Sequence, residues 1–119
     1  NYVSSKSIIR NNVKIGDGTI ILDGCIINFD SNISDNCLIN TGCIIEHDVQ
    51  IGKNSNISPA VVICGSTVIE ENCFIGAGTI VQDKLTIKKN SVIGSASNIT
   101  KNIPANSYVY GNPVRERKK

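Results

Sequence analysis

His47 is the only histidine in the 119 residues, and it lies between two carboxylates in Ile45-Glu46-His47-Asp48-Val49. An imidazole is the side chain best suited to moving protons near neutral pH, and a neighbouring carboxylate raises its basicity. The segment thus holds the parts of a general base. Two readings stand side by side: a solvent-exposed turn histidine, and a base that serves a substrate. The five cysteines, Cys25, Cys37, Cys43, Cys64 and Cys73, are odd in number and include no C-x-x-C pair. Neither a complete disulfide framework nor a thiolate metal site is spelled out. Cys64 is the one candidate for a catalytic thiol, although no histidine lies close to it in sequence. No Gly-rich phosphate loop, Ser-His-Asp order or nucleic-acid motif is present.

The elements that hold these residues follow from a repeat of six. Every sixth residue from Val3 to Ile99 is Ile or Val, without a slip in phase. Four positions later the residue is small or aliphatic, as in Cys25, Ser31, Cys37, Cys43, Val49 and Ser55. The position before that is rich in Gly, Asn and Asp (Gly18, Gly24, Asp30, Asn36, Gly42, Asp48), the residues that tolerate a positive φ at a sharp corner. A period of six keeps no single face of an α-helix, and a corner every sixth residue excludes long strands. Short strands with a corner at each hexad make a coiled solenoid. Within each hexad the first and fifth residues point inward and the sixth points outward. His47 occupies the third position, a corner that projects from the core.

Ile15-Gly16, Ile51-Gly52, Ile75-Gly76 and Ile93-Gly94 match the signature of an aliphatic residue, often followed by Gly, two variable residues, a small residue and one more. The chain from about Val3 to Ile103 resembles the hexapeptide-repeat acyltransferase family. That resemblance implies an all-β, left-handed parallel β-helix, with three hexads per coil and about six coils. Residues 1–103 would form the helix and 104–119 a short C-terminal cap and basic tail of the same domain. At ~4.8 Å per coil the prism is on the order of 27 Å tall. The usual preference for right-handed crossovers would not have given that handedness.

With 18 residues per coil, the outward positions sort into three columns. Lys14, Asn32, Gln50, Val68 and Thr86 form a mostly polar one. Ile8, Ile26, Ile44, Val62, Ile80 and Asn98 form a second, and Ile20, Leu38, Asn56, Phe74 and Val92 a third. Two apolar faces beside one wet face suit a closed ring of three prisms, and the family is typically trimeric. Asn56 interrupts the third column, either bonding across an interface or facing a ligand. Cys25, Cys37, Cys43 and Cys73 take the inward fifth position as small core fillers. Cys25 and Cys43 stack one coil apart, a spacing that permits a disulfide without requiring one. Core-facing thiols suit a reducing cytoplasm.

The run Asn40-Thr41-Gly42-Cys43-Ile44-Ile45-Glu46-His47-Asp48, with Asn72-Cys73-Phe74-Ile75-Gly76 further on, is similar to the bacterial sialic acid O-acetyltransferase and nucleotide amino-sugar N-acetyltransferase group. Lys101-Asn102-Ile103-Pro104 through Val109-Tyr110-Gly111-Asn112-Pro113 looks like the cap of that group. The resemblance implies direct transfer of acetyl from acetyl-CoA to a sugar or sugar-nucleotide amine or hydroxyl, without a metal. His47 would be the base and Asp48 its support, with Glu46 the alternative supporter. Asn40 would contact the acceptor, and Asn56, Gly65, Ala77 and Ser95 the cofactor. Many relatives have a second His where this chain has Asn56. Gly65, 18 residues beyond His47, is either an ordinary corner glycine or the backbone donor to the oxyanion. Arg115, Arg117, Lys118 and Lys119 either meet the CoA phosphates or form a solvated tail. Relatives usually carry an N-terminal α/β domain for the sugar nucleotide. That domain is expected to be absent from this chain, either cut away or replaced by another way of holding the sugar.

The net charge of +2 argues for no polyanionic partner, and no apolar run approaches the ~20 residues that cross a membrane. A zinc carbonic anhydrase on the same fold needs three His ligands where this chain has one. A non-catalytic trimeric scaffold and a transferase fed by an acyl carrier protein remain as alternatives. The scaffold predicts that His47→Ala changes nothing.

Overall fold

The computed structural model describes residues 1–117. Two-residue strands recur every six residues: β1 (Tyr2–Val3), β2 (Ile8–Ile9), β3 (Lys14–Ile15), and so on to β17 (Asn98–Ile99). A hairpin of β18 (Tyr108–Gly111) and β19 (Val114–Glu116) follows. Every third strand pairs in parallel, so three sheets wrap a triangular prism. Sheet I runs β1, β4 (Ile20–Ile21), β7 (Leu38–Ile39), β10 (Asn56–Ile57), β13 (Phe74–Ile75), β16 (Val92–Ile93), β18 and β19; sheet II holds every third strand from β2 to β17, and sheet III every third strand from β3 to β15. Asn56 pairs with Leu38 and Phe74, Val62 with Ile44 and Ile80, and Gln50 with Asn32 and Val68. The fold is the all-β parallel solenoid of hexads expected from the repeat, consistent with the left-handed winding that the family resemblance implies.

The corners turn through left-handed backbone, with φ of 64° at Asp30, 56° at Asp48 and 60° at Asn54. Short polar side chains tolerate that conformation better than other non-glycine residues do. The first-position aliphatics from Ile21 to Ile99 are all 1% exposed or less. Each contributes roughly 1.5–3 kcal/mol of burial. Val3 is 38% exposed because its coil has no neighbour below it.

The fifth position does more than fill space. The Ser31 hydroxyl donates to the Glu46 carbonyl (2.7 Å) and accepts from the Val49 N–H (3.1 Å). Thr19 bridges Ser34 and Cys37 in the same way, and Ser55 bridges Glu70 and Cys73. Cys25 and Cys43 donate their thiols to the carbonyls of Asn40 (2.9 Å) and Ser58 (3.0 Å). These are corner carbonyls that the strand ladder leaves unpaired, and burial obliges them to find a donor. All five cysteines are free.

The molecule measures 40 × 21 × 21 Å. It is longer than the six-coil expectation because the hairpin extends sheet I to eight strands. Seven spacings of ~4.8 Å already span about 34 Å. Among the described residues no helix is long and apolar enough to cross a membrane.

Candidate active site

His47 and Asp48 lie at the vertex between sheets II and III, just after β8 (Ile44–Ile45). The next coil stacks there in register: the Ser66 N–H donates to the His47 carbonyl (3.0 Å), and the Asp48 N–H donates to Phe29 one coil earlier (3.0 Å). Ser31 ties both ends of the turn, at Glu46 and Val49. The backbone beneath the imidazole is therefore fixed from three sides.

The His47 Nδ1 lies 3.0 Å from Asp48 Oδ2, with both side chains more than half exposed. A carboxylate only accepts, so this contact puts a proton on Nδ1 and leaves Nε2 as the ring nitrogen turned away from Asp48. Glu46 does not share this role. Its carboxylate accepts from Asn28 Nδ2 at 2.8 Å. Asn28 and Ser31, one coil away, hold the Glu46 carboxylate and the ends of the turn beneath the imidazole, and neither role shows in residue type or spacing. Ser31 was legible only as a small core residue, and nothing in its type announced the bridge.

Nε2 stands over Gly65. A Cβ added to Gly65 would lie 2.6 Å from Nε2 and 2.8 Å from Cε1, closer than real contacts allow. Glycine is thus the residue that lets the ring occupy this position. Among the described residues the Gly65 N–H makes no hydrogen bond, while its carbonyl accepts from Lys84 (3.0 Å). An unpaired N–H beside an imidazole nitrogen is an arrangement that acyl transfer can use. Cys64 is half-buried next to it. Burial, then Asp83 and Glu46, push its thiol above the ordinary value of 9.0. At neutral pH it is held as the thiol, which disfavours a nucleophilic role.

The other candidates lie elsewhere on the chain. Asn40, Ala77 and Ser95 occupy the vertex between sheets I and II, where the Ala96 N–H bonds the Ala77 carbonyl (2.8 Å). Gly76, beside Ala77, is required by close approach: a Cβ there would lie 2.6 Å from the Ser95 nitrogen. Asn40 accepts from the Thr41 N–H (2.8 Å). Asn56, on the outer face of β10 (Asn56–Ile57), makes no side-chain hydrogen bond among the described residues. One chain therefore brings His47, Asp48 and Gly65 together at one edge of sheet II, and Asn40, Ala77 and Ser95 at the other. A larger concavity of about 480 Å³ on the wet face is lined by Gln50, Lys53, Glu70, Glu71, Lys89 and others. It is open and holds no imidazole, only surface carboxylates and lysines, so its size does not outweigh the chemistry at His47. Arg115 and Arg117 belong to the terminal hairpin and its end, whereas Lys118 and Lys119 lie outside the described residues.

The parallel β-solenoid of hexads is that of hexapeptide-repeat transferases. The chain belongs to the family described as bacterial transferase hexapeptide (six repeats), which matches residues 30–65 and 66–101, more than half its length. No curated protein sequence matches it. Among solved structures it is similar to PerB from Caulobacter crescentus in complex with CoA and GDP-perosamine, at 27% identity and a TM-score of 0.96. That likeness covers 98% of this chain and 56% of PerB, so the chain spans little more than half the length of that protein. The acetyltransferase domain of PglB from Neisseria gonorrhoeae, in complex with acetyl coenzyme A, matches with a TM-score of 0.95 at 24% identity, over 97% of this chain and 56% of that one. AntD, an N-acyltransferase from Bacillus cereus, matches with a TM-score of 0.92 at 19% identity, over 98% and 78%. These last two speak to the fold alone.

Proposed function

We propose that this chain is an acetyl-CoA-dependent acetyltransferase acting on the amine or hydroxyl of a sugar or sugar nucleotide, with His47 as general base. The observation that carries the reading is the His47 corner: Nδ1 on Asp48, and Nε2 beside the open N–H of Gly65. The likeness to PerB, solved with CoA and a sugar nucleotide, supports the substrate class.

The acceptor nitrogen or oxygen attacks the thioester carbonyl while Nε2 takes its proton. The oxyanion accepts a hydrogen bond from the Gly65 N–H. The C–S bond then breaks, and the proton on His47 passes to the departing thiolate. Asp48 stabilises the imidazolium between these steps.

A second copy completes the site. Sheet II presents Ile26, Ile44, Val62 and Ile80 outward. A three-membered ring with sheet II toward its axis brings the His47 vertex of each copy against the Ala77–Ser95 vertex of the next. Acetyl-CoA then lies in the groove outside that junction, with Asn56 beside the thioester end. The free thiols suit a reducing cytoplasm.

The test is titration of acetyl-CoA by calorimetry, followed by CoA release with a panel of amino-sugar nucleotides and sialic acids. One site per chain is expected in a trimer. His47→Ala should retain binding and lose roughly 10²–10⁴-fold in turnover. A folded trimer that ignores millimolar acetyl-CoA is incompatible with the reading and favours a scaffold.

A further inference from the structure

The third position of each hexad is a corner, and one of its occupants breaks the pattern. From Ser5 to Lys101 every third-position residue is polar or is Pro59, Gly65 or Ala77, except Phe29. The Phe29 side chain is 48% exposed, and it alone among the exposed large hydrophobics lies outside a strand. It therefore belongs to neither apolar sheet face, and Asn28 and Asp30 flank it. A single exposed ring means little by itself. Its place in the stack is what gives this one a use.

The Asp48 N–H donates to the Phe29 carbonyl (3.0 Å), and the Asp30 N–H donates to the Asn11 carbonyl (3.2 Å). Phe29 thus stacks beneath His47, one spacing of ~4.8 Å toward the N-terminal end, and Gly65 stacks one spacing above. Along this corner the column reads aromatic ring, imidazole, unpaired N–H. Beside Phe29, Asn28 gives its Nδ2 to Glu46 Oε2 at 2.8 Å. Among the described residues Asn28 Oδ1 and Glu46 Oε1 receive no hydrogen bond. An apolar surface next to two open acceptors matches a sugar ring, which carries C–H groups on its face and hydroxyl donors on its rim.

We propose that Phe29 is the platform for the sugar ring of the acceptor, an inference that rests on the acetyltransferase reading above. The thioester carbonyl takes the Gly65 side of the imidazole, where its oxyanion meets the N–H, so the acceptor comes from the opposite side. There the C–H face of a pyranose lies on the Phe29 ring. Its hydroxyls donate to Asn28 and Glu46, and its amine or hydroxyl is held against Nε2 of His47. Stacking on a rigid aromatic ring fixes the orientation of the sugar while the polar pair fixes its register.

The test is steady-state kinetics on the full chain, with UDP-linked 2-, 3- and 4-amino hexoses and N-acetylneuraminic acid as acceptors. Phe29→Ala should lower kcat/KM for the acceptor about tenfold, the worth of roughly half a buried aromatic ring, and leave the KM for acetyl-CoA unchanged. Phe29→Tyr, which keeps the ring, should restore most of the loss. Light scattering and melting curves should show wild-type assembly and stability for both variants, because the side chain is half exposed. An acceptor kcat/KM that survives Phe29→Ala, or an equal rise in the KM for acetyl-CoA, overturns the platform and leaves the acetyltransferase reading standing. A Phe29→Ala protein that falls to monomers also overturns it, since Phe29 would then be an interface residue. A wild type that binds acetyl-CoA but acetylates none of the four acceptors overturns the sugar platform alone, and one that binds no acetyl-CoA overturns both.

Discussion

At the scale of single residues, Gly65 gives the imidazole its room, as Asp48 gives it its orientation. The missing Gly65 Cβ is the space that His47 Nε2 and Cε1 occupy. Gly65 has no positive φ, so alanine fits its backbone and the clash falls on the ring alone. Gly65→Ala should therefore displace the imidazole and lower turnover on the order of 10²-fold, the cost of misplacing a reacting group by about 1 Å. Thermal midpoint and acetyl-CoA stoichiometry should stay close to wild type, and steady-state kinetics beside a melting curve separates the two effects. Cys64 offers a pH-dependent check. Its thiol is raised by burial and by Asp83 and Glu46, so the reactive thiolate is scarce at neutral pH. Alkylation by iodoacetamide should be slow at pH 7 and climb through a midpoint above 9.0, whereas a midpoint near neutrality would restore Cys64 as a candidate nucleophile.

At the scale of one coil, the unit is a two-residue strand, a left-handed corner and a buried small residue that reaches the coil above. Ser31 shows what that residue contributes. Its hydroxyl holds the Glu46 carbonyl and the Val49 N–H, the two ends of the turn that carries His47 and Asp48. Ser31→Ala leaves a buried carbonyl without its donor and should cost about 1–3 kcal/mol, visible as a drop of several degrees in the melting temperature. The same change should loosen the turn and depress turnover, even though Ser31 is fully buried and touches no substrate. An unchanged melting temperature and rate would show that the bridge is dispensable.

At the scale of the whole molecule, the two groups of candidate residues stand at opposite edges of sheet II, and in the proposed ring a neighbouring copy would join them. Val62, midway along the outer column of that sheet, is the residue on which to test this. Val62→Glu places a carboxylate on an outward, partly exposed position, so the single prism should still fold. Three such charges around one axis should split the ring. Light scattering should report a trimer for wild type and a monomer for the variant, and acetyl-CoA binding should be lost with the assembly. A monomeric wild type, or a monomeric variant that still binds acetyl-CoA, would show that the site is complete within one chain.

Much of this was legible before any coordinates. The phase of the aliphatic residues from Val3 to Ile99 determined the coil, the inward thiols of Cys25, Cys37, Cys43 and Cys73, and the corner position of His47. A repeat of six is a local rule applied without interruption, and local rules are written in order along a chain. The 18-residue coil, taken from the family resemblance, added the stacking of Gly65 on His47. Tertiary structure decided the rest. It chose Asp48 over Glu46 as the imidazole's partner because Asn28, one coil away, already holds the Glu46 carboxylate. It made Ser31 a clamp, since two groups fifteen and eighteen residues away converge on one hydroxyl. It also folded Tyr108, Tyr110 and Arg117 back onto Gly94 through a hairpin that follows no hexad. Each of these depends on which side chains from different coils meet once stacked, and a one-dimensional period separates inward from outward without saying which partner a side chain finds.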